Sequence, residues 1–190
     1  VELSVQERNF LGRGQFIRAS AGLGDNDSQI YNFSFTEPFF LGYRVAAGFD
    51  LYRAYSASQD YYTYAETAGD IRLTAPLTDE LSSTIKYVYQ QFEYEGTGDW
   101  QNPNNLSPIF QNLIDGSPWT VSSVEQAFNF SSVDNYQQPR EGILANLTNT
   151  VAGLGGDSHY YALTGKVRWY QMISDQADII GSLTARGGLV

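Results

Sequence analysis

The 190-residue sequence contains no cysteine, one histidine and one methionine. Without cysteine there is no disulfide, thiolate nucleophile, zinc–thiolate site or iron–sulfur cluster. Basic residues are also scarce, since 11 Lys and Arg stand against 21 Asp and Glu and give a formal net charge of −10. Phosphate backbones are bound by clustered basic residues, so we expect no nucleic-acid partner.

Long apolar runs are missing as well. Apolar residues make up 42% of the chain, yet no stretch approaches the roughly 18 consecutive apolar residues of a transmembrane helix. A helical membrane protein is therefore excluded. The sequence opens on a strand-like pattern rather than on a charged and apolar leader, from which we expect a removed signal peptide or an internal piece of a longer protein.

Apolar and polar residues alternate with period two along most of the chain, which is the signature of β-strands. Phe33 and Phe35, for example, alternate with Ser34 and Thr36. Helical spacing occurs only over Asn105–Ile114, inside a loop. The pattern predicts about ten strands, several of them longer than the usual five or six residues. They are expected around residues 1–6, 17–23, 31–36, 44–51, 69–75, 84–90, 119–134, 143–151, 161–169 and 179–186.

The links between these strands are predicted to alternate strictly between tight turns and longer or more polar loops. The tight turns are Gly12–Gly14, Leu41–Gly42, Thr78–Glu80, Gln138–Glu141 and Ser174–Asp178, and the loops are Gly24–Ser28, Ser56–Asp60, Gly96–Pro118 and Gly153–His159. Outer-membrane barrels have short periplasmic turns and longer extracellular loops. We therefore expect a cysteine at Asn104 to react with an impermeant maleimide on intact cells, and one at Arg13 not to react.

The two faces of the predicted strands differ in chemistry. The apolar positions expected to face lipid include Ile17, Phe33, Phe35, Val45 and Phe49. The polar face carries charges in mid-strand, namely Arg18, Arg44, Asp50, Asp70, Arg72, Lys86, Lys166 and Arg168. Tyrosines near strand ends are expected to form an aromatic girdle at the headgroups. These are Tyr43, Tyr52, Tyr55, Tyr61, Tyr62, Tyr64, Tyr89, Tyr94, Tyr160 and Tyr161.

Strand length, link pattern and tyrosine placement together favour an all-β fold, an antiparallel transmembrane β-barrel. A soluble all-β binding domain shows the same alternation and is the alternative. If the tight turns are periplasmic, both termini of the sequence lie near the outer rim. We therefore expect strands before Val1 and after Val190, so that residues 1–190 form one domain, a partial and incomplete barrel.

Three turns carry a more specific signal. They are Asn9-Phe10-Leu11-Gly12-Arg13-Gly14, Thr36-Glu37-Pro38-Phe39-Phe40 and Leu73-Thr74-Ala75-Pro76-Leu77, in this order. Each alone is ordinary turn chemistry. As an ordered set they resemble the BamA-type family of outer-membrane protein assembly factors, which includes the translocation and assembly subunit TamA and the organellar sorting and import pores. The resemblance covers the whole chain.

One later turn departs from the family pattern of an aromatic residue, Pro, Thr, any residue and Gly. In Tyr136–Gly142 the chain keeps Pro139 and Gly142 but has Arg140 where threonine is expected. This difference bears on the subfamily more than on the family.

The resemblance implies a part of a Gram-negative outer-membrane assembly factor that folds and inserts β-barrel proteins. Implied partners are outer-membrane lipids, unfolded outer-membrane client proteins and the accessory lipoproteins of an assembly complex. It also implies periplasmic transport-associated domains before this segment, and a lateral gate between strands outside it. A passive porin or channel, in which the same charges would select solutes, is the alternative function.

Residues that could carry chemistry do not form a convincing site. His159 is the only histidine, and the adjacent Asp157 and Ser158 cannot form a triad with it. Asp25–Ser28 lacks the glycine and distal glutamate of a calcium loop, and Gly153–Gly156 opens no helix that could cradle a phosphate. Glu93 and Glu95 lie on one strand face at the mouth of a loop, and we interpret them as solvated residues of the barrel rim. We therefore predict no enzyme, no catalytic or metal-binding residue and no cofactor.

Overall fold

The computed structural model describes residues 1–25, 27–57, 62–102 and 105–190, and places its ten strands in one antiparallel sheet in chain order. The strands are β1 (Glu2–Phe10), β2 (Gln15–Leu23), β3 (Gln29–Glu37), β4 (Ala46–Ser56), β5 (Tyr62–Pro76), β6 (Leu81–Gly96), β7 (Trp119–Ser131), β8 (Gly142–Ala152), β9 (Tyr160–Ser174) and β10 (Ile179–Leu189). The prediction of ten strands in an all-β fold is confirmed.

Helical structure is confined to the links. Helix α1 (Pro108–Asp115) lies between β6 and β7, within the segment predicted to be helical. Short 3-10 turns span Phe40–Gly42 and Gly98–Gln101. No helix in the described ranges is long and apolar enough to cross a membrane.

The strict alternation of short and long links is wrong. The links 38–45 and 132–141, both predicted to be tight, are longer than the link 24–28, which was predicted to be a loop. The first of them folds into the 3-10 turn, and Phe40 N–H donates to the Val45 carbonyl across it at 2.9 Å. Arg44 and Val45 consequently lie before β4 and belong to neither face of a strand.

Other predictions fall partly outside the described residues. These predictions concern the loop Ser56–Asp60, of which residues 58–60 lie outside, the residues Asn26 and Tyr61, and the labelling position Asn104. The link containing α1 is the longest of the connections, and it lies at the end of the sheet opposite the turn 11–14.

Ladder register separates the sheet into two faces. Ile17 pairs with Phe35, and Phe35 with Phe49. The Phe35 and Phe49 ring centroids are 5.8 Å apart. One residue along, the rung consists of Arg18, Ser34 and the carboxylate residues Asp50 and Asp70. We call the apolar side the outer face and the charged side the inner face.

Most apolar side chains of the outer face are left exposed by the rest of the described chain. Leu3 is 70% exposed, Ile71 63% and Leu183 64%, although they lie on β1, β5 and β10 respectively. Among the described residues only Ala65 and Ala152 are buried apolar side chains. Soluble domains bury their apolar faces, whereas transmembrane barrels turn them to lipid. The exposed apolar face therefore argues against the soluble alternative.

The predicted tyrosine girdle is only partly correct. Ladder register places Tyr55, Tyr89 and Tyr161 on the outer face, and Tyr43 lies in a link. The remaining described tyrosines of the set lie on the inner face, because they occupy the same alternate positions as the charges: Tyr52, Tyr62, Tyr64, Tyr94 and Tyr160. Sequence position near a strand end therefore did not determine which face a tyrosine occupies.

Two amide side chains lie side by side on the outer face of β7 and β8. Gln126 of β7 lies in register with Ile85 on one side and Asn149 of β8 on the other. The Gln126 side chain donates to the Ser83 hydroxyl at 2.7 Å and to the Thr84 carbonyl at 3.3 Å. Intramolecular bonds thus compensate this amide where hydrogen-bonding solvent is not available.

Candidate functional site

The turn between β1 and β2 is organised by Asn9. Its side-chain oxygen accepts the Gly14 N–H at 2.7 Å, and its backbone carbonyl accepts the Gly12 N–H at 2.9 Å. The Glu7 carboxylate in turn accepts the Asn9 N–H at 2.8 Å. An asparagine oxygen that satisfies backbone donors is typical of tight turns. The first turn motif therefore specifies this hairpin.

The first two turn motifs contact each other. The Gln15 side chain, just after the first turn, donates to the Glu37 carboxylate at 2.6 Å. The other oxygen of Glu37 accepts the Phe39 N–H at 3.1 Å. Glu37 thus closes its own turn and links it to the neighbouring hairpin, so the two motifs form one bonded unit at the turn end of the sheet.

The third motif leads into a turn closed by Thr78. Its hydroxyl accepts the Glu80 N–H at 3.2 Å and the Leu81 N–H at 3.0 Å. Leu81 also accepts the Leu77 N–H at 2.8 Å. Pro76 is the last residue of β5, where a missing N–H costs least.

Arg140, the departure from the family pattern, links the turn 132–141 to the turn 175–178. Its guanidinium pairs with Asp178 and lies 3.8 Å from Asp175. Asp134 accepts the backbone N–H groups of Arg140 and Glu141, and these bonds lower the pKa of its carboxyl. The arginine therefore provides a contact between hairpins that threonine is too short to make.

Glycine is required at the end of the same turn. Gly142 has φ of 112°, and a Cβ there would lie 2.5 Å from the Ser132 carbonyl oxygen. The left-handed conformation and the close approach both exclude a side chain. This explains why the chain keeps Gly142 while the preceding threonine of the pattern is replaced.

An ion-pair network crosses the inner face of β3–β5. Arg72 donates to Asp50 at 2.5 Å and to Asp70 at 3.1 Å, and its second terminal nitrogen donates to the Thr36 hydroxyl at 3.2 Å. Asp50 and Asp70 are directly opposite in the ladder. Like charges in such positions repel, so Arg72 compensates a repulsion that the register creates.

Gly48 makes this network possible. It lies between Thr36 and Arg72 in the ladder, and a Cβ there would lie 2.9 Å from the Thr36 hydroxyl and 3.1 Å from the Arg72 guanidinium. A larger residue would block the path of Arg72 across β4. Nothing in the sequence pattern identified this position, since a glycine on a polar face has no distinctive signal.

A second ion pair continues the inner face onto β7. Lys86 and Glu125 are directly opposite in the β6–β7 ladder, and their charged atoms are 2.7 Å apart. Both side chains are partly exposed, at 32% and 27%. The two cations of this part of the inner face, Arg72 and Lys86, are therefore both paired with carboxylates within the sheet.

The inner-face tyrosines form a cluster around Glu66, nearer the end of the sheet that carries α1. The Tyr64 hydroxyl donates to one Glu66 oxygen at 2.9 Å, and the Gln90 amide donates to the other at 3.3 Å. The Tyr64 ring centroid lies 5.3 Å from that of Tyr94 and 6.3 Å from that of Phe92. The cluster packs strands against one another on the inner face.

The residues considered for catalysis have structural contacts. Asp157 accepts the Thr120 backbone N–H and the Thr120 hydroxyl, each at 2.8 Å. These bonds lower the pKa of the Asp157 carboxyl and fix the link 153–159 on β7. The turn at Asp25–Ser28 is closed by the Gly24 N–H, which donates to the Ser28 carbonyl at 2.7 Å.

Comparisons with known proteins agree with this architecture. The model of the Omp85 superfamily domain matches residues 9–190. The crystal structure of BamA from Haemophilus ducreyi lacking POTRA domains 1–3 aligns over 99% of this chain, with a TM-score of 0.68 and 16% identity. At this identity the likeness shows the fold alone, and it covers 38% of the BamA chain.

The ten strands therefore have the fold of part of the BamA barrel, as the turn motifs implied. In this fold the exposed apolar face is the outer surface, and the charged face lines the interior. Ladder register, turn chemistry and the match over 9–190 agree: the chain has the fold of part of the BamA barrel, and it belongs to the Omp85 superfamily.

Proposed function

We propose that the protein containing this segment folds and inserts β-barrel proteins into the outer membrane of a Gram-negative bacterium. Membership of the Omp85 superfamily over residues 9–190 carries the proposal. The BamA-like fold and the exposed apolar face are consistent with it. Its partners would be unfolded client proteins, the surrounding lipids and the accessory lipoproteins of an assembly complex.

The proposed mechanism requires no covalent chemistry. An unpaired strand edge presents N–H and C=O groups on which an incoming hairpin can form its first ladder. Local thinning of the bilayer near such an edge lowers the cost of insertion. The protein therefore needs one seam that opens and a wall that keeps its register.

The ladders of this segment support the second requirement, a wall that keeps its register. From β2 to β9 the ladders run without a register shift, and the two irregularities lie in the outermost pairs, at Glu7/Phe10 and at Ile179/Ile180. The inner-face ion pairs also lie in β4–β7. We assign to this segment the role of the rigid wall rather than of the seam.

The test is client folding into liposomes. Liposomes carrying the full-length protein, residues 1–190 alone, or no protein are mixed with an unfolded client barrel, and folding is followed by its heat-modifiable gel shift. We expect acceleration by the full-length protein only. The 190-residue segment has two unpaired edges, and each unsatisfied backbone group costs several kcal/mol in hydrocarbon.

Two other outcomes of the folding test would change the proposal. If the full-length protein performed no better than empty liposomes but conducted ions, a passive channel would replace the proposal. If residues 1–190 matched the full-length protein, the seam mechanism would be wrong while the assembly function remained.

A further inference from the structure

The inner face of β8–β10 carries a basic cluster that the rest of the sheet does not neutralise. These three strands contain no Asp or Glu, and their only charged residues are Lys166, Arg168 and Arg186. All three lie on the inner face, because they continue the rungs of Asn146 and Leu144. The sequence as a whole is strongly acidic, so this concentration of positive charge is local.

The register forces the cations together. Lys166 is directly opposite Arg186 in the β9–β10 ladder, and Arg168 lies two residues along β9 from Lys166. Neighbouring strands are about 4.8 Å apart, and alternate residues of a strand about 6.6 Å apart. Like charges directly opposite destabilise a sheet. None of the ion pairs among the described residues includes these three cations.

A cavity of about 420 Å³ adjoins the cluster, and Lys166 and Arg168 line it. Asn129 and Asn146 also line this cavity. The Asn146 side-chain nitrogen donates to the Asn129 oxygen at 2.7 Å, and the Asn146 oxygen accepts the Thr148 hydroxyl at 3.2 Å. Both amide oxygens are therefore engaged as acceptors, and the side-chain groups that remain on Asn129 are N–H donors.

One more polar atom of this cavity is unmatched. The Ser131 hydroxyl lines the cavity, is buried and has no hydrogen-bond partner among the described residues. A hydroxyl can donate to an anion. Asp79 and Glu80 of the β5–β6 turn also line the cavity, and the Ser131 backbone N–H donates to the Glu80 carbonyl at 2.8 Å. Ser131 shares a rung with Arg168, and Asn129 shares one with Lys166, each two strands away. The donors therefore lie between the acidic turn and the cations.

We propose that the inner face of β8–β10 binds a soluble anion of the phosphate class, held by Lys166, Arg168 and Arg186. A carboxylate has one charge and two oxygens, and would leave part of this cluster uncompensated. A phosphate or pyrophosphate group has more charge and at least three acceptor oxygens, and arginine binds such groups with two parallel hydrogen bonds. The inner face is turned away from lipid, so the ligand reaches it from the aqueous interior.

The experiment measures pyrophosphate binding by titration calorimetry, using the full-length protein in detergent micelles. We expect saturable binding that is at least about tenfold weaker in the double variant Lys166→Gln/Arg186→Gln, because charge-assisted bonds are lost. Lys166→Arg should retain affinity. The matched control is Arg18→Gln, which removes an inner-face cation on β2 outside the cluster and should leave the affinity unchanged. The heat-modifiable gel shift of each variant confirms folding.

Three results would overturn the proposal. Absence of binding to the full-length protein would mean that the cluster is neutralised by another part of the same protein. Equal weakening by Arg18→Gln would mean nonspecific attraction. Tighter binding of a glutamate-rich peptide than of pyrophosphate would assign the surface to an acidic polypeptide instead. None of these measurements depends on the proposed assembly function.

Discussion

Two parts of the inner face differ in how their charges are compensated: β4–β7, the paired half, and β8–β10, the unpaired half. In β4–β7, Arg72 bonds to Asp50 and Asp70, and Lys86 pairs with Glu125. In β8–β10 the residue opposite Lys166 is another cation. Both regions have the same strand alternation and the same polar face. In β4–β7 too the register sets like charges opposite each other, Asp50 with Asp70 and Arg72 with Lys86. What differs is that the cations of β4–β7 have carboxylates within bonding distance, whereas β8–β10 contain no Asp or Glu.

This difference separates charges that stabilise the sheet from charges available to a ligand. A cation within bonding distance of a carboxylate is compensated without any other molecule, whereas cations that have only other cations nearby repel one another. The first arrangement makes a wall, and the second makes a surface that gains from binding an anion. The following predictions test this contrast, with the outer face as the reference for the largest effect.

The largest effect is expected on the outer face. Phe49→Arg should reduce the free energy of unfolding of the full-length protein in lipid vesicles by about 2–4 kcal/mol, because arginine at mid-membrane faces hydrocarbon. Ser34→Arg, on the inner face, should cost little. Urea titration followed by tryptophan fluorescence measures both variants. If the two costs were equal or reversed, the assignment of the faces would be incorrect.

The next effect concerns the paired half. Arg72→Met should cost about 2 kcal/mol, because it leaves Asp50 and Asp70 opposed without their shared cation. Solvent screening of these partly exposed groups keeps the cost from being larger. Arg168→Met, in the unpaired half, is the control and should be near neutral or stabilising. Equal losses in the same urea titration would remove the contrast between the halves.

A steric change at Gly48 should disturb the same network more weakly. Gly48→Val is expected to cost about 1–2 kcal/mol, because its Cβ would lie 2.8 Å from the Phe35 carbonyl oxygen and the added side chain displaces Arg72 from Thr36. The double variant Gly48→Val/Arg72→Met should cost less than the sum of the single changes. Strict additivity would show that Gly48 does not act through Arg72.

Reversing one charge should convert the unpaired half into a paired one. Lys166→Glu places a carboxylate directly opposite Arg186 and should stabilise the sheet by about 0.5 kcal/mol. The same variant should lose pyrophosphate binding. Ala162→Glu, four residues along the same face, is the position control, since it lies opposite Thr150 and out of reach of Lys166 and Arg186. A gain as large in that variant would mean a general response to added negative charge.

The smallest effect lies where β7 meets the link 153–159. The pKa of Asp157 is lowered by its bonds from Thr120, so this contact stabilises the fold above the unfolded-state pKa of about 3.9. It is lost as the pH falls through the lower folded-state value. Amide exchange in the link should therefore accelerate on acidification below about pH 4, and Asp157→Asn should remove that pH dependence.

The sequence alone was sufficient for the strands, the outer surface and the family. Period-two alternation requires no long-range information, because each residue's face follows from its neighbours along the chain. The turn motifs are also local, since Asn9 and Thr78 satisfy backbone donors within a few residues. These are the features for which the predictions agreed with the structure.

Only the tertiary structure decided which residues meet across strands. The tyrosines of β5 were assigned to the outer surface by their position near a strand end, but they lie around Glu66 on the inner face. Gly48, and Arg140 with its contact to Asp178, likewise gain their roles from residues far along the chain. Register sets such pairings, and it depends on the lengths of turns and strands together. The amino-acid sequence therefore determined that the inner face is charged, while the tertiary structure decided that Arg72 and Lys86 bond to carboxylates and that Lys166 faces Arg186.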